Sequence, residues 1–457
     1  MSLTGEPRDG DAAATTAGAR HGPRRSLVTP FTLGLAAAAA LALAVRWIFI
    51  SVVDPQVPRV GDASAYHLLA NNLAAGRGYI RPFDLLLLHK VHATAEYPPL
   101  FPAIVSVVSR LGAKSVYAQR MGMGVVGTAT VVVIGMLGRR VAGVAVGLTA
   151  AGIAAVYPML FQSDATLMSE SVFALLVATA LLLAYQTTDR PTPVRFVTLG
   201  AVLGLATLTR AEGGVLAVLL VVPLAFRLSD QSPRRRVALG AMGLAVAALV
   251  VAPWALRNQR TFHSFVPVST NIGTALEGAN CRPVYSGSFI GLWRSNFSTS
   301  PSSPDACFTG FDVRQAHFNE ARVAAQHRDR GQRYARHHAG RLPAVGVARL
   351  LRTWGVFRPH QQINEAALEG RPVRWETLGT RMYWVLLVFG LGGVAVAARR
   401  RLRVWPMAAA AAMVSLSTVA TYGNQRFRVG AEPAVIVLAA VGLVAAAGAL
   451  GRRPAPA

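Results

Sequence analysis

The run LVTPFTLGLAAAAALALAVRWIFISVV, residues 27–53, decides the fold. At a rise of about 1.5 Å per residue it is long enough to cross a hydrocarbon layer of about 30 Å. Arg20, Arg24 and Arg25 precede it, so this first span is expected to run from the cytoplasm outward. A cleaved signal peptide is the competing reading, because small residues crowd Ala36–Ala44. The long preceding tail and the continuation of the run to Val53 favour a retained span.

The rest of the chain agrees with that start. Of 457 residues, 53% are apolar and only 15% charged, and the mean hydropathy is +0.40, which sets the chain apart from soluble domains. A net charge of +25 would suggest nucleic acid in a soluble protein. Here the basic residues fall in short clusters between apolar runs, the positive-inside pattern of a membrane protein, and no nucleic acid partner is expected. Lys90 and Lys114 are the only lysines; arginine carries nearly all the positive charge and, with abundant Ala, Gly and Val, points to a high-GC bacterial genome. Two cysteines exclude a Cys₄ zinc site, an iron–sulfur centre and a cysteine-rich scaffold.

Further spans are predicted at 116–138, 141–157, 169–186, 196–209, 212–227, 237–256, 381–398, 404–422 and 429–450, ten with the first. Alternation then puts every arginine-rich connection on one side: Arg139–Arg140, Asp189–Arg195, Arg227–Arg236, Arg399–Arg403 and the terminal Arg452–Arg453. Both termini are expected in the cytoplasm. The opposite face receives 54–115, 158–168, the 210–211 corner, 258–380 and 423–428. The expected organisation is a cytoplasmic tail (1–26), a membrane module (27–257) with outer loop 54–115, a periplasmic cap (258–380) and C-terminal spans (381–457). Within loop 54–115, Ala65, Leu68, Leu69 and Leu73 recur at helical spacing behind Asp62. The stretch 98–112 is too short to cross comfortably, and both are expected to lie in the interface. The cap contains a polar helical candidate at 313–338 and a basic amphipathic one at 343–357. Cys281 and Cys307 fall within it, where they either form a disulfide, contributing about 3 kcal/mol by loop closure, or stay reduced and buried.

Ionisable groups at a membrane boundary are costly, so their placement is informative. Five carboxylates gather on the outer face: Asp62, Asp84, Glu96, Asp164 and Glu170. Each has a plain reading beside a chemical one. Asp62 can cap the interfacial helix. Glu96 can be a solvated loop carboxylate. Asp164 and Glu170 can offset a helix dipole, worth less than about 1 kcal/mol. Opposite them, Arg210, Arg257, Arg426 and Arg428 each end a span, where arginine either snorkels to headgroups or holds a phosphate bidentately. A carboxylate base facing several arginines suits a displacement with a phosphate leaving group. No GxxxxGK[ST] motif competes, and GMGVVG at 122–127 lies within a span, where small residues let helices approach.

In order along the chain come GDASAYHLLANNLAAGRGY (61–79), AEYPPLFP (95–102), YPMLFQSDATLMSESVFALL (157–176), LTRAEGG (208–214), APWALRNQRTFHSFVPVSTNIGTALEGAN (252–280) and RFRVGAEPAVIVLAA (426–440). This series resembles the bacterial family 39 glycosyltransferases, all-α polytopic membrane proteins of the GT-C fold related to protein O-mannosyltransferases and aminoarabinose transferases. The resemblance implies inverting transfer of a sugar from a polyprenyl-phosphate donor to a cell-envelope lipid, polysaccharide or protein. It implies a plasma-membrane location with the site on the periplasmic side. It matches the family's catalytic aspartate to Asp62, its tyrosine to Tyr66 and its glutamate before Pro-Pro to Glu96, and sets Arg257 and Asn258 at the outer mouth of the seventh span. Tyr97 stands where aminoarabinose transferases have a lysine. Ala63 replaces the second acid found in protein O-mannosyltransferases, which makes protein the less expected acceptor. A divalent metal is not indicated. The contrasting reading is a lipid-linked sugar flippase or transporter, whose polar groups would lie at mid-membrane on broken helices.

Overall fold

The computed structural model describes residues 29–54, 61–295, 307–308 and 318–450. The arginines expected to precede the first span and the terminal Arg452–Arg453 lie outside the described residues, as do 313–317 of the polar helical candidate. The fold is helical; among the described residues β pairing is confined to isolated bridges at Ile80–Ala93 and Ser295–Phe308.

Helix α1 (Pro30–Ile48) starts at a capping box in which Thr29 and Thr32 satisfy each other's backbone amides, with Pro30 pre-set for the first turn. A π-helical turn, Phe49–Val53, continues it. The first outer loop holds α2 (Asp62–Ala74), α3 (Pro82–Leu88) and α4 (Leu100–Arg110). Then come α5 (Val116–Ala142), α6 (Val144–Val156), α7 (Pro158–Ala165), α8 (Glu170–Asp189), α9 (Pro193–Thr209), α10 (Glu212–Phe226) and α11 (Pro233–Phe262). The cap contains α12 (Ile272–Ala279), α13 (Glu320–His337), α14 (Leu342–Thr353) and α15 (Pro359–Leu368), before α16 (Val373–Arg399), α17 (Trp405–Ala420) and α18 (Glu432–Leu450).

All ten expected spans correspond to helices. Six (α1 with its π turn, α5, α8, α11, α16 and α18) are long and apolar enough to cross a bilayer, and α6 with α7 forms a seventh, bent by 50°. The bend follows from Pro158, which drives Tyr157 out of the helical region to ψ 115°. Helices α9, α10 and α17 are apolar but have 17, 15 and 16 residues, fewer than the roughly 20 that a perpendicular crossing takes. Two boundaries move. Helix α11 runs six residues past its expected end at 256, and α16 begins eight before 381, because a helix satisfies its own backbone as it leaves the hydrocarbon. The cap is correspondingly shorter than 258–380.

The basic connections meet at one end of the bundle. Asp189 pairs with both Arg140 and Arg403, Arg227 stacks over Trp405, and Arg139 lies over Phe31 at the start of α1. Close packing of α16 on α18 depends on Gly393 and Gly442, where a side chain would run into the Leu438 and Phe389 carbonyls. At the other end Cys281 and Cys307 are joined in a disulfide, their Cα atoms 5.3 Å apart, within a small core of Val284, Tyr285, Leu292 and Val345.

Candidate active site

A cavity of about 1050 Å³ opens at the end of the bundle away from the basic connections. Its wall combines the start of α2, the Tyr97–Pro98 turn, the α7–α8 and α9–α10 corners, the 264–272 strap, one face of α13 and the segment after α17.

Asp62 is the first residue of α2, while Gly61, at φ 101°, takes the cap position. The capping reading of Asp62 is thereby overturned: its side chain makes no cap bond and points into the cavity. One carboxylate oxygen accepts from the Tyr97 hydroxyl at 3.0 Å, the other from Arg426 Nη2 at 3.2 Å. Burial, with the Asp62 and Glu96 charges beside it, raises the Tyr97 pKa well above the usual phenol value, so Tyr97 stays a donor. One turn along α2, Tyr66 packs its ring against Tyr97 at 4.6 Å and Phe101 at 4.7 Å.

Arg426 sits in the 3₁₀ turn Gln425–Gly430, whose start Asn424 caps. Besides Asp62 it faces Glu369 at 3.2 Å and Glu170 at 3.4 Å. Arg210, in extended conformation at the α9–α10 corner, meets Glu170 at 2.9 Å and Glu212 at 3.1 Å. Both guanidinium groups lie near the Phe427 ring, at 5.2 Å for Arg210 and 5.7 Å for Arg426. The inner end of the cavity thus has four carboxylates around two arginines.

Glu96 lies just behind the Tyr97 wall. Arg81 bridges it at 3.1 Å to Asp84 at 3.1 Å and Glu320 at 2.7 Å. Loss of hydration pushes the Glu96 carboxyl up to about 7; Arg81 opposes this, while Glu320, Asp62 and Asp84 add to it. Glu320, fully buried, also accepts from Thr94 Oγ1, the Ala95 amide and Thr270 Oγ1, each at 2.8 Å. It ties α13 to the loop carrying Glu96.

Asp62, Tyr66, Tyr97, Glu170, Arg210 and Arg426 therefore come together. Glu96, behind the wall, and four other expected residues do not line the cavity. Arg257 spends its donors on the Thr94 carbonyl at 2.7 Å, the Tyr79 carbonyl at 3.0 Å and Asn258 Oδ1 at 2.9 Å. Asn258 is buried and donates to the Val266 carbonyl at 3.0 Å. Asp164 forms a buried pair with Arg46 at 2.7 Å, and a side chain at Gly127 would strike both groups. Arg428 pairs with Glu432 at 2.7 Å under the Tyr383 ring. Sequence reasoning passed over Glu212, though it stands two residues after Arg210, and over Glu369, Tyr422 and Phe427. It also passed over Arg322 and Arg328, which lie within the polar helix it had marked. Among the described residues no cluster of three or more histidine, cysteine or acidic side chains is arranged to hold a metal.

The family model described as dolichyl-phosphate-mannose-protein mannosyltransferase matches residues 96–256. No curated protein matches the chain in sequence. Among solved structures, the apo oligosaccharyltransferase of Archaeoglobus fulgidus is similar over 93% of this chain and 53% of its own, with a TM-score of 0.53 and 16% identity. The same enzyme tethered to an acceptor peptide containing the NVT sequon gives 0.53 and 16% over 92% of this chain and 50% of that one. ArnT from Cupriavidus metallidurans bound to undecaprenyl phosphate gives 0.40 and 18% over 92% and 80%. The chain spans about half the length of the oligosaccharyltransferase it matches. Its fold is that of the GT-C membrane proteins.

Proposed function

We propose that this chain is a membrane glycosyltransferase that moves a sugar from a polyprenyl-phosphate donor to a cell-envelope acceptor, with inversion and with Asp62 as general base. The observation that carries this reading is the placement of Asp62, whose carboxylate reaches the cavity from the first interfacial helix between a phenol donor and a guanidinium. The family matched over 96–256 is described by a lipid-phosphate sugar donor, which supports the donor class.

The step is one displacement. Asp62 takes the proton of the acceptor hydroxyl, whose oxygen bonds to the anomeric carbon as the bond to the phosphate oxygen breaks. Polyprenyl phosphate leaves with the electron pair, and a single in-line attack inverts the centre. Tyr97 and Arg426 hold the carboxylate in line. For the leaving phosphate, Arg210 and Arg426 replace Arg257 as the candidates, because they line the cavity and Arg257 is committed to backbone carbonyls. Arg426 faces three carboxylates with one guanidinium, so an incoming phosphate can exchange for one of them.

The apolar flank of the cavity, formed by Val215, Phe265, Ile272 and Leu416, leaves these side chains 36–79% exposed, a surface suited to a lipid tail. Glu96, which does not line the cavity, is assigned a positioning role through the loop that carries Tyr97. The cavity is assigned to the extracytoplasmic side of a bacterial plasma membrane. Purified protein supplied with radiolabelled polyprenyl-phosphate sugar and envelope extract tests the reading: labelled product supports it, and donor that stays intact contradicts it.

A further inference from the structure

The two ends of the cavity differ in charge. At the inner end, Asp62, Glu170, Glu212 and Glu369 enclose Arg210 and Arg426, which leaves acid in excess. At the outer end the wall is α13, which contributes Ala321, Arg322, Ala324, Ala325 and Arg328. Alanine there keeps the wall low, and two long cations flank it. Among the described residues the Arg322 guanidinium has no hydrogen-bond or ion-pair partner. Arg328 faces its exposed neighbour Asp329 at 3.5 Å, a contact worth little in water.

The position of α13 says which ligand group meets it. The helix reads EARVAAQHRDRGQRYARH, too polar for hydrocarbon, and it belongs to the cap between α11 and α16. It therefore forms the aqueous wall, while Val215, Phe265, Ile272 and Leu416 form the lipid-facing flank. A lipid-anchored donor comes from the flank, and a group arriving from water meets α13. The helix is held in place by the Glu320 bonds and by Asn319, which donates to the Phe262 carbonyl at 3.1 Å.

We propose that Arg322 and Arg328 form an oxyanion subsite on the aqueous wall of the cavity, and that the acceptor carries the phosphate or carboxylate group it holds. This rests on the glycosyl-transfer reading for its link to the acceptor, but the subsite itself does not. Six positions of helix separate the two arginines, about 9 Å along the axis and about 120° around it, and both line the cavity, where each can contact an oxygen of the anionic group or of an extended glycan. With Arg210 and Arg426 taken up by the donor phosphate, the inner end offers the acceptor's anion no free cation, and the Asp62 carboxylate faces it there as a like charge. The anion is thereby kept outside while a neutral hydroxyl of the same molecule goes in.

Two arms test it on the full chain in nanodiscs of neutral lipid. In the first, inorganic pyrophosphate is titrated calorimetrically at low salt. Wild type is expected to bind it, more weakly as salt rises, and the paired Arg322→Ala, Arg328→Ala variant to lose about tenfold or more. The paired lysine variant keeps the charge and is expected to lose less. No binding by wild type, or equal binding by the alanine pair, overturns the subsite. In the second arm, transfer is followed with donor and envelope extract varied separately. The alanine pair is expected to raise the KM for acceptor and leave that for donor unchanged. A raised donor KM instead assigns the anion to the donor and overturns the acceptor claim. Absence of transfer by wild type sinks the glycosyltransferase reading and the acceptor claim with it, while the pyrophosphate arm still decides the subsite.

Discussion

Asp62 and Arg426 stand 364 positions apart in the chain and 3.2 Å apart in space. The contact joins the first interfacial helix to the turn before the last span. It makes Arg426 the hub of the site, because the same guanidinium also faces Glu170 and Glu369.

Removing that hub strands buried carboxylates. Arg426→Ala is expected to destabilise the folded protein by about 3 kcal/mol or more, as breaking a buried ion pair does. Adding Glu170→Gln should return part of the loss, because the stranded charge goes with it. Thermal melts of the two single variants and the double in detergent measure the coupling. Strict additivity would contradict the hub.

Arg257 has a holding role. Arg257→Ala frees the Tyr79 and Thr94 carbonyls, so the 79–95 segment should become more sensitive to protease and the melting temperature should fall by several degrees. Donor KM should hardly move. A large rise in donor KM with unchanged protease sensitivity would restore Arg257 as a phosphate ligand.

Glu96 gives a signed pH dependence. Its carboxyl ionises near 4.5 in the unfolded chain and at about 7 in the folded one. Between those values the folded state holds more protons, so raising the pH through this window favours unfolding. Relative to Glu96→Gln, wild type should lose melting temperature from pH 5 to pH 8. Parallel curves for the two proteins would show that Glu96 is not raised.

Much of the architecture was legible because bilayer thickness and arginine placement are one-dimensional signals. The ten runs appear as helices, and GMGVVG packs as small residues should, with Gly124 against Trp47 and Gly127 against the Arg46–Asp164 pair. Asp62 was expected at the site from the family resemblance, and its side chain does line the cavity. Arg257 and Asp164 show where that reasoning stops. Both stand near a helix end on the correct face of the membrane, but rotation about the helix axis decides whether a side chain meets the cavity, a carbonyl or a buried partner. Arg46 is such a partner, a lone cation inside the first apolar run whose pairing depends on a helix 118 residues later. Arg322 and Arg328 were hidden for the same reason: the polar helix was visible, the wall it forms was not.

Asp62 is proposed to take the acceptor proton. Asparagine keeps the shape of the side chain and can still meet Tyr97 and Arg426 through its carbonyl oxygen, but it is no base. Losing a general base costs about 10² to 10⁴ in rate. The deciding measurement takes one detergent-purified Asp62→Asn preparation and records both its melting curve and its rate of sugar transfer from polyprenyl-phosphate donor. With Asp62 as the base, a melting temperature within a few degrees of wild type and a transfer rate reduced at least about a hundredfold are expected. Near-normal transfer by a well-folded Asp62→Asn protein would contradict that role.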